Sequence, residues 1–296
     1  MKKKISVGSW AYIFAGNEIL LPELCEKLHS LQFDGVSMGG FKPHAHPELY
    51  DTPEKKEGLK KLLADHALSV AEYACDLWSL DGIAQSDEWV ALFEVNAKFC
   101  RDMGWGIIRV DSGTPPVLPD GMSYDKAKSI ITDNFKRVAK IAQKYGLEVV
   151  WEFEPGFMIN EPKMIIEVLN AVGEPNFSLL FDTCHAHMSA VHGARHILPD
   201  CTLNGGVEEF AELCKGKIGI VHLIDSDGKL NGEGTSVHAP FGTGEINFDS
   251  VIPALLNKAG YAAEWWAIDL CEWPDPWPVT ADSKAFVDKL NEKYCK

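Results

Sequence analysis

Apolar residues along this chain fall into two alternating patterns. Short continuous runs have the character of buried strands, and longer stretches repeat every three to four positions, as on one face of a helix. A β-like run over Ile5 to Trp10 leads to an amphipathic stretch from Leu21 to Phe33 and then to Gly35-Val36-Ser37-Met38-Gly39-Gly40. Thr52-Pro53 predicts the next helix start, with threonine as cap and proline at the first helical position, where its missing N–H is no loss. That helix reaches His66-Ala67, and Leu68 to Leu77 is the third strand. Asp87 to Met103 is helical, with Trp89, Leu92, Phe93, Ala97 and Cys100 on one face; Gly104 ends it, and Gly106 to Asp111 is the fourth strand.

The second half keeps the rhythm. Ser123 to Tyr145 is a long helix closed by Gly146, followed by a strand from Leu147 to Glu154 that stops at Pro155-Gly156. Pro162 to Val172 precedes Phe177 to Phe181, Val207 to Cys214 precedes Ile218 to Leu223, and Phe248 to Ala259 precedes Trp265 to Leu270; Ala281 to Tyr294 ends the chain. Helix, glycine in a left-handed cap, then apolar strand is the signature of an αβ junction. About eight such units over 296 residues predict a single (β/α)8 TIM barrel occupying residues 1–296. The same alternation allows a doubly wound open sheet, but neither GxGxxG nor GxxxxGK[ST] follows the first strand. The long connections after the sixth strand (Met188 to Gly206) and the seventh (Ser226 to Asn247) are where a barrel carries function.

Composition narrows the chemistry. A formal net charge of −15 argues against nucleic acid, which needs a basic surface. Met1-Lys2-Lys3-Lys4 opens the chain without a following apolar core, so neither an export signal nor a membrane span is expected. The eight cysteines form no CxxC pair and read as reduced thiols of a cytoplasmic enzyme.

Several apolar strands end in charge. Trp151-Glu152-Phe153-Glu154 closes the fifth, Phe181-Asp182 the sixth, Val221-His222 the seventh and Ile268-Asp269 the eighth. Burying such ends is costly unless the charges are paired or chelated, and in a barrel the C-terminal strand ends meet at one site. Taken singly, each acid reads more readily as a helix cap or loop salt bridge; the agreement of four ends points to a shared site. Carboxylates with one imidazole suit Mg²⁺, Mn²⁺, Co²⁺ or Zn²⁺. Glu152 and Glu154 share strand parity, so both can face the axis. His187 and His192 read as rim residues, and Glu272 as equally solvated or functional.

Glu on the fifth strand, Asp182-x-x-His185, His222-x-x-Asp225 and an acid on the eighth strand resemble the xylose isomerase-like TIM barrels, nearest their sugar phosphate isomerase/epimerase group. Pro240-Phe241-Gly242-Thr243-Gly244-Glu245-Ile246-Asn247-Phe248 and Gly260-Tyr261 are similar to that group as well. The resemblance implies a divalent metal held by Glu152, Asp182, His222 and Asp269, with Glu154 the competing glutamate on the fifth strand. It also exposes a departure: the family usually has Glu on the eighth strand, where this chain has Asp269.

The function expected from this is isomerisation or epimerisation of a sugar or sugar-like ketone, by proton abstraction through an enediolate. Glu152 and Asp269 are the expected catalytic carboxylates, with Glu154 an alternative base. His185 is expected to orient a substrate oxygen or a metal ligand, and Asp225 to hold His222 or another group behind the ligands. Further substrate contacts are expected from His44, His46, Trp10, Arg109 and His238. Lys42, Arg195 and Lys229 stand in loops, and few cations stand at strand ends, which favours an unphosphorylated sugar. The expected partners are thus a small-molecule sugar, with no nucleic acid and no membrane; a homo-oligomer stays open. Competing functions are a metal-dependent dehydratase of a keto-inositol or sugar acid, phosphodiester hydrolysis as in the AP-endonuclease branch, and a non-catalytic sugar-binding barrel.

Overall fold

The computed structural model describes residues 2–14, 16, 18–199 and 201–295; Met1 of the basic start lies outside them. Among the described residues ten strands occur in chain order: β1 Lys4–Val7, β2 Gly35–Gly39, β3 Ser69–Ala74, β4 Ile107–Val110, β5 Glu148–Glu152, β6 Phe177–Asp182, β7 Ile218–Leu223, β8 Asp225–Leu230, β9 Ser236–Ala239 and β10 Trp265–Ile268. Eight of them form one parallel sheet in the order β1-β10-β7-β6-β5-β4-β3-β2. A parallel bridge between Gly8 and Ser37 links the two ends, so the sheet closes into a (β/α)8 barrel and the open-sheet alternative falls away. β8 and β9 are not barrel strands. They form an antiparallel hairpin inside the connection that follows β7.

The helices start and stop where their chemistry says. Thr52 accepts from Lys55 N at 3.3 Å ahead of Pro53–Asp65, and Ser123 accepts from Lys126 N at 3.2 Å ahead of Tyr124–Lys144. Gly104 and Gly173 end their helices in the left-handed region, where a Cβ would be strained. The sixth connection differs from expectation: a buried helix, Thr183–Ala190, begins directly at the end of β6, because Asp182 caps it through His185 N at 2.8 Å. No helix among the described residues is long and apolar enough to cross a membrane.

Most of the core lies between barrel and helices, with Phe93, Phe135, Trp151, Phe181 and Phe210 fully buried there. A second, small cluster of Ala71, Val150, Leu180, Ile220 and Trp265 is separate from it. Val150, Leu180 and Ile220 stand two residues before Glu152, Asp182 and His222, so this cluster is the apolar layer inside the barrel beneath the strand ends.

Candidate functional site

Four strand ends deliver four side chains to one point. Glu152 ends β5, Asp182 ends β6, His222 is next to last on β7, and Asp269 directly follows β10. The register aligns them, since Asp182 pairs with His222 and His222 with Ala267. One ligand atom of each lies within 4.8 Å of the others. His222 Nδ1 stands 3.2 Å from Glu152 Oε1, 3.3 Å from Asp269 Oδ2 and 3.9 Å from Asp182 Oδ2. All four residues are buried.

Glu152 Oε1, Asp182 Oδ2 and His222 Nδ1 have no hydrogen-bond partner. An orphaned buried polar atom costs about 1–3 kcal/mol, and here three of them face one another. Three carboxylates and one imidazole nitrogen are the donor set that suits a divalent cation, with water and substrate in the open positions. The residues present therefore fit a bound metal.

The surrounding contacts fix these ligands. Glu72 on β3, fully buried, meets His222 Nε2 at 2.5 Å and so leaves Nδ1 facing the carboxylates. Burial alone would strip the proton from His222, but Glu72 and Asp269 outweigh it and raise its pKa to about 9. The same excess of negative charge favours a cation at this point. Asp269 Oδ1 accepts from Trp10 Nε1 at 3.0 Å and from Cys271 N at 2.8 Å. Burial pushes Asp269 up, yet His238 and His222 hold it well below the usual carboxylate range; Asp182 is raised by burial. Arg109 forms an ion pair with Glu152 and lies 5.0 Å over the Trp10 ring, which stacks on His222 at 5.7 Å.

A cavity of about 190 Å³ adjoins the cluster. Its lining combines the carboxylates of Glu152, Glu154 and Asp269 with an aromatic group, Trp10, Phe14, Phe41 and Trp78. Glu154 Oε2 accepts from Thr235 Oγ1 at 2.7 Å and stands 3.6 Å from His185 Nε2. Burial raises Glu154 to about 7, against the lowering effect of the Thr235 bond. His185, whose Nδ1 meets Ser236 Oγ at 2.9 Å, is pushed well below the ordinary histidine range by burial. The β8–β9 hairpin thus reaches the site through Thr235, Ser236 and His238. Glu272 also lines the cavity, held by Asn231 Nδ2.

Of the residues expected to serve the site, Trp10, Arg109, Glu152, Glu154, His185, His238 and Asp269 line the cavity, while Asp182 and His222 complete the cluster. Three are placed elsewhere. His44 is buried with Nε2 on the Ile19 carbonyl at 2.8 Å, and His46 Nδ1 accepts from Glu48 N at 3.2 Å. Asp225 turns away from His222 to accept from Gly242, Gly244 and Ile246 N at 2.9, 3.0 and 3.1 Å, because a glycine-rich loop without side-chain anchors needs its amides satisfied. Sequence reasoning missed Glu72 and the aromatic group of Phe14, Phe41 and Trp78. A glutamate inside the apolar run Val70-Ala71-Glu72-Tyr73-Ala74 was the available signal for the first.

Comparison with known proteins agrees with this architecture. The family model described as xylose isomerase-like TIM barrel matches residues 25–290. A curated relative, the inosose isomerase of Bacillus velezensis, is 23% identical over 171 residues; the match covers 57% of this chain and 55% of that relative, so the chain spans about half the length of the curated protein it matches. Among solved structures, the IolI protein with a bound zinc atom superposes with a TM-score of 0.73 at 19% identity, covering 99% of both chains. A D-tagatose 3-epimerase-like protein superposes with a TM-score of 0.72 at 20% identity, again over 99% of both chains. At these identities the two structures speak for the fold.

Proposed function

Since the chain belongs to the xylose isomerase-like TIM barrel family, we propose that it is a divalent-metal-dependent isomerase or epimerase of an unphosphorylated sugar or sugar-like ketone. What carries this is the convergence of Glu152, Asp182, His222 and Asp269, with three orphaned ligand atoms, beside a small cavity that contains a further carboxylate.

Glu152, Asp182, His222 and Asp269 would hold the ion. When bound, it polarises the ketone and offsets the charge that develops as a carbon-bound proton leaves. Proton transfer needs a carboxylate with an oxygen turned to the substrate. Asp269 Oδ1 is engaged by Trp10 and Cys271, and Glu152 is paired with Arg109. Glu154 lines the cavity with Oε2 bonded to Thr235, and its side chain is 19% exposed. We therefore assign the first proton transfer to Glu154, with Glu152 and Asp269 completing the carboxylate set around the substrate. His185, with Nδ1 held by Ser236, presents Nε2 to a substrate oxygen.

Two observations favour a neutral, compact substrate. Among the described residues Arg109 is the one lysine or arginine lining the cavity, and its charge is already matched by Glu152, so no free lysine or arginine there stands ready for a phosphate. The cavity is below the range of pockets for drug-sized ligands, roughly 300–1,000 Å³, and its aromatic group suits the apolar face of a sugar or cyclic polyol. The curated relative's name, inosose isomerase, agrees with a cyclic polyol ketone.

The test is solvent exchange. Incubated in heavy water with Mn²⁺, Mg²⁺ or Co²⁺ and a panel of free ketoses and inososes, the protein is expected to place deuterium at a carbon next to the carbonyl of at least one of them. Loss of water from the substrate would assign a dehydratase instead. No exchange with any of them, in protein shown to hold metal, would overturn proton-transfer isomerisation or epimerisation of the sugars tested.

A further inference from the structure

A second group of ligand atoms lies outside the cavity. His187 is on the helix Thr183–Ala190, His192 follows that helix, and Glu245 belongs to the glycine-rich loop before the helix at Phe248. Glu245 Oε2 stands 3.0 Å from His187 Nε2 and 3.0 Å from His192 Nε2, and the two nitrogens are 3.2 Å apart. These atoms form a nearly equilateral triangle. Tetrahedral zinc with bonds of about 2.0–2.1 Å places its ligand atoms roughly 3.3–3.4 Å apart, so the triangle is close to one face of such a tetrahedron.

Hydrogen bonding accounts for the triangle less well. Two neutral imidazoles carry at most one proton each, so with both Nε2 atoms protonated the edge between the nitrogens sets two donors against each other. With one protonated, one of the three edges has no proton at all. A cation over the face satisfies all three atoms together. The local backbone also makes room: a Cβ on Gly228 would stand 3.0 Å from His192 Nε2 and 3.1 Å from Glu245 Oε1, and its φ of +71° favours glycine in any case. Lys229, the adjacent residue, directs its ammonium to Asp227 at 2.8 Å.

We propose that His187, His192 and Glu245 form a second metal site, for Zn²⁺ or a similar borderline ion, with water at the fourth position. Two imidazoles and one carboxylate select such ions over Mg²⁺, whereas the four-residue cluster is richer in hard oxygen donors. The ion would join the helix capped by Asp182 to the loop anchored by Asp225, bracing two segments that carry the main site without entering the cavity. This site stands independently of the isomerase assignment.

Zinc stoichiometry tests it. The protein is dialysed to equilibrium against Zn²⁺ and its bound zinc counted, for the unaltered chain, for His192→Ala, for Glu245→Gln, for Asp182→Asn and for Asp182→Asn combined with His192→Ala. His192→Ala and Glu245→Gln are each expected to bind one equivalent fewer than the unaltered chain. Asp182→Asn combined with His192→Ala should bind one fewer than Asp182→Asn alone. With Co²⁺ in place of zinc, the visible absorption of a tetrahedral ion should weaken in the His192→Ala protein. His192 is a third exposed, and circular dichroism establishes that the variant is folded. Equal stoichiometry with and without His192→Ala, in folded protein, overturns the proposal.

Discussion

Two layers of side chains inside the barrel, one beneath the other, differ in almost everything but burial, and on β5, β6 and β7 their members sit two residues apart. The lower consists of Ala71, Val150, Leu180, Ile220 and Trp265, the upper of Glu72, Glu152, Asp182, His222 and Asp269, and no member of either exceeds 5% exposure. The lower layer buries apolar surface and leaves nothing unpaired. The upper layer excludes water equally well yet contains orphaned atoms on Glu72, Glu152, Asp182 and His222. Replacing buried charges by well-packed apolar residues is often neutral or stabilising by about 1–4 kcal/mol. Folding alone therefore gives no reason for the upper layer.

The sharpest way to break this contrast is to neutralise one upper-layer carboxylate. Glu152→Gln keeps the shape and removes the charge, and it is expected to lower exchange or turnover by about 10²–10⁴-fold in protein that still folds, although Arg109 loses its buried partner. A parallel loss of folding would mean that the upper layer is structural after all. In the lower layer the effects should reverse. Leu180→Ala is expected to cost about 2–5 kcal/mol in urea unfolding, with metal stoichiometry unchanged in the protein that remains folded. If metal is lost along with stability, the two layers act as one unit.

The contrast also explains what could be read in advance. The eight-fold alternation was legible because glycine caps and apolar runs are local signals, and Glu152, Asp182, His222 and Asp269 were legible because a charge ending an apolar run is conspicuous. Glu72 was not, because strand parity misleads there. Val36 pairs with Val70 but Ser37 pairs with Glu72, so Ala71 is an extra residue that shifts the register of β3. Ala71 then lies in the lower layer and its neighbour Glu72 reaches His222 in the upper one. Asp225 and the two loop histidines were misplaced for a different reason. Their partners are loop amides and carbonyls, whose positions depend on the whole connection rather than on any nearby pattern.

Glu72 offers the next test. As the partner that orients His222, it should matter to metal binding without touching the metal. Glu72→Gln is expected to weaken Mn²⁺ or Zn²⁺ binding by about 10–100-fold, measured by competition with a chelating dye. An unchanged affinity would show that Nδ1 of His222 is held in place by Trp10 stacking and packing alone.

The smallest expected effect concerns the aromatic side of the cavity, where binding and chemistry should separate. Trp78 stacks on Phe14 at 5.7 Å, meets Phe41 at 5.2 Å and donates from Nε1 to Asp111 at 2.8 Å, so its ring is fixed although the residue is 46% exposed. Its ring contacts are with Phe14 and Phe41, and a preset aromatic surface is worth about 0.5–1.5 kcal/mol to a ring packed against it. Trp78→Ala should accordingly raise KM by roughly 2–12-fold, with kcat and metal affinity close to those of the unaltered protein. Trp78→Phe, which keeps the surface and gives up the bond to Asp111, should recover most of that loss. A fall in kcat with KM unchanged would reverse the division of labour: the aromatic side would then set the position of the reacting carbon against Glu154, and the upper layer would not be the sole source of catalysis.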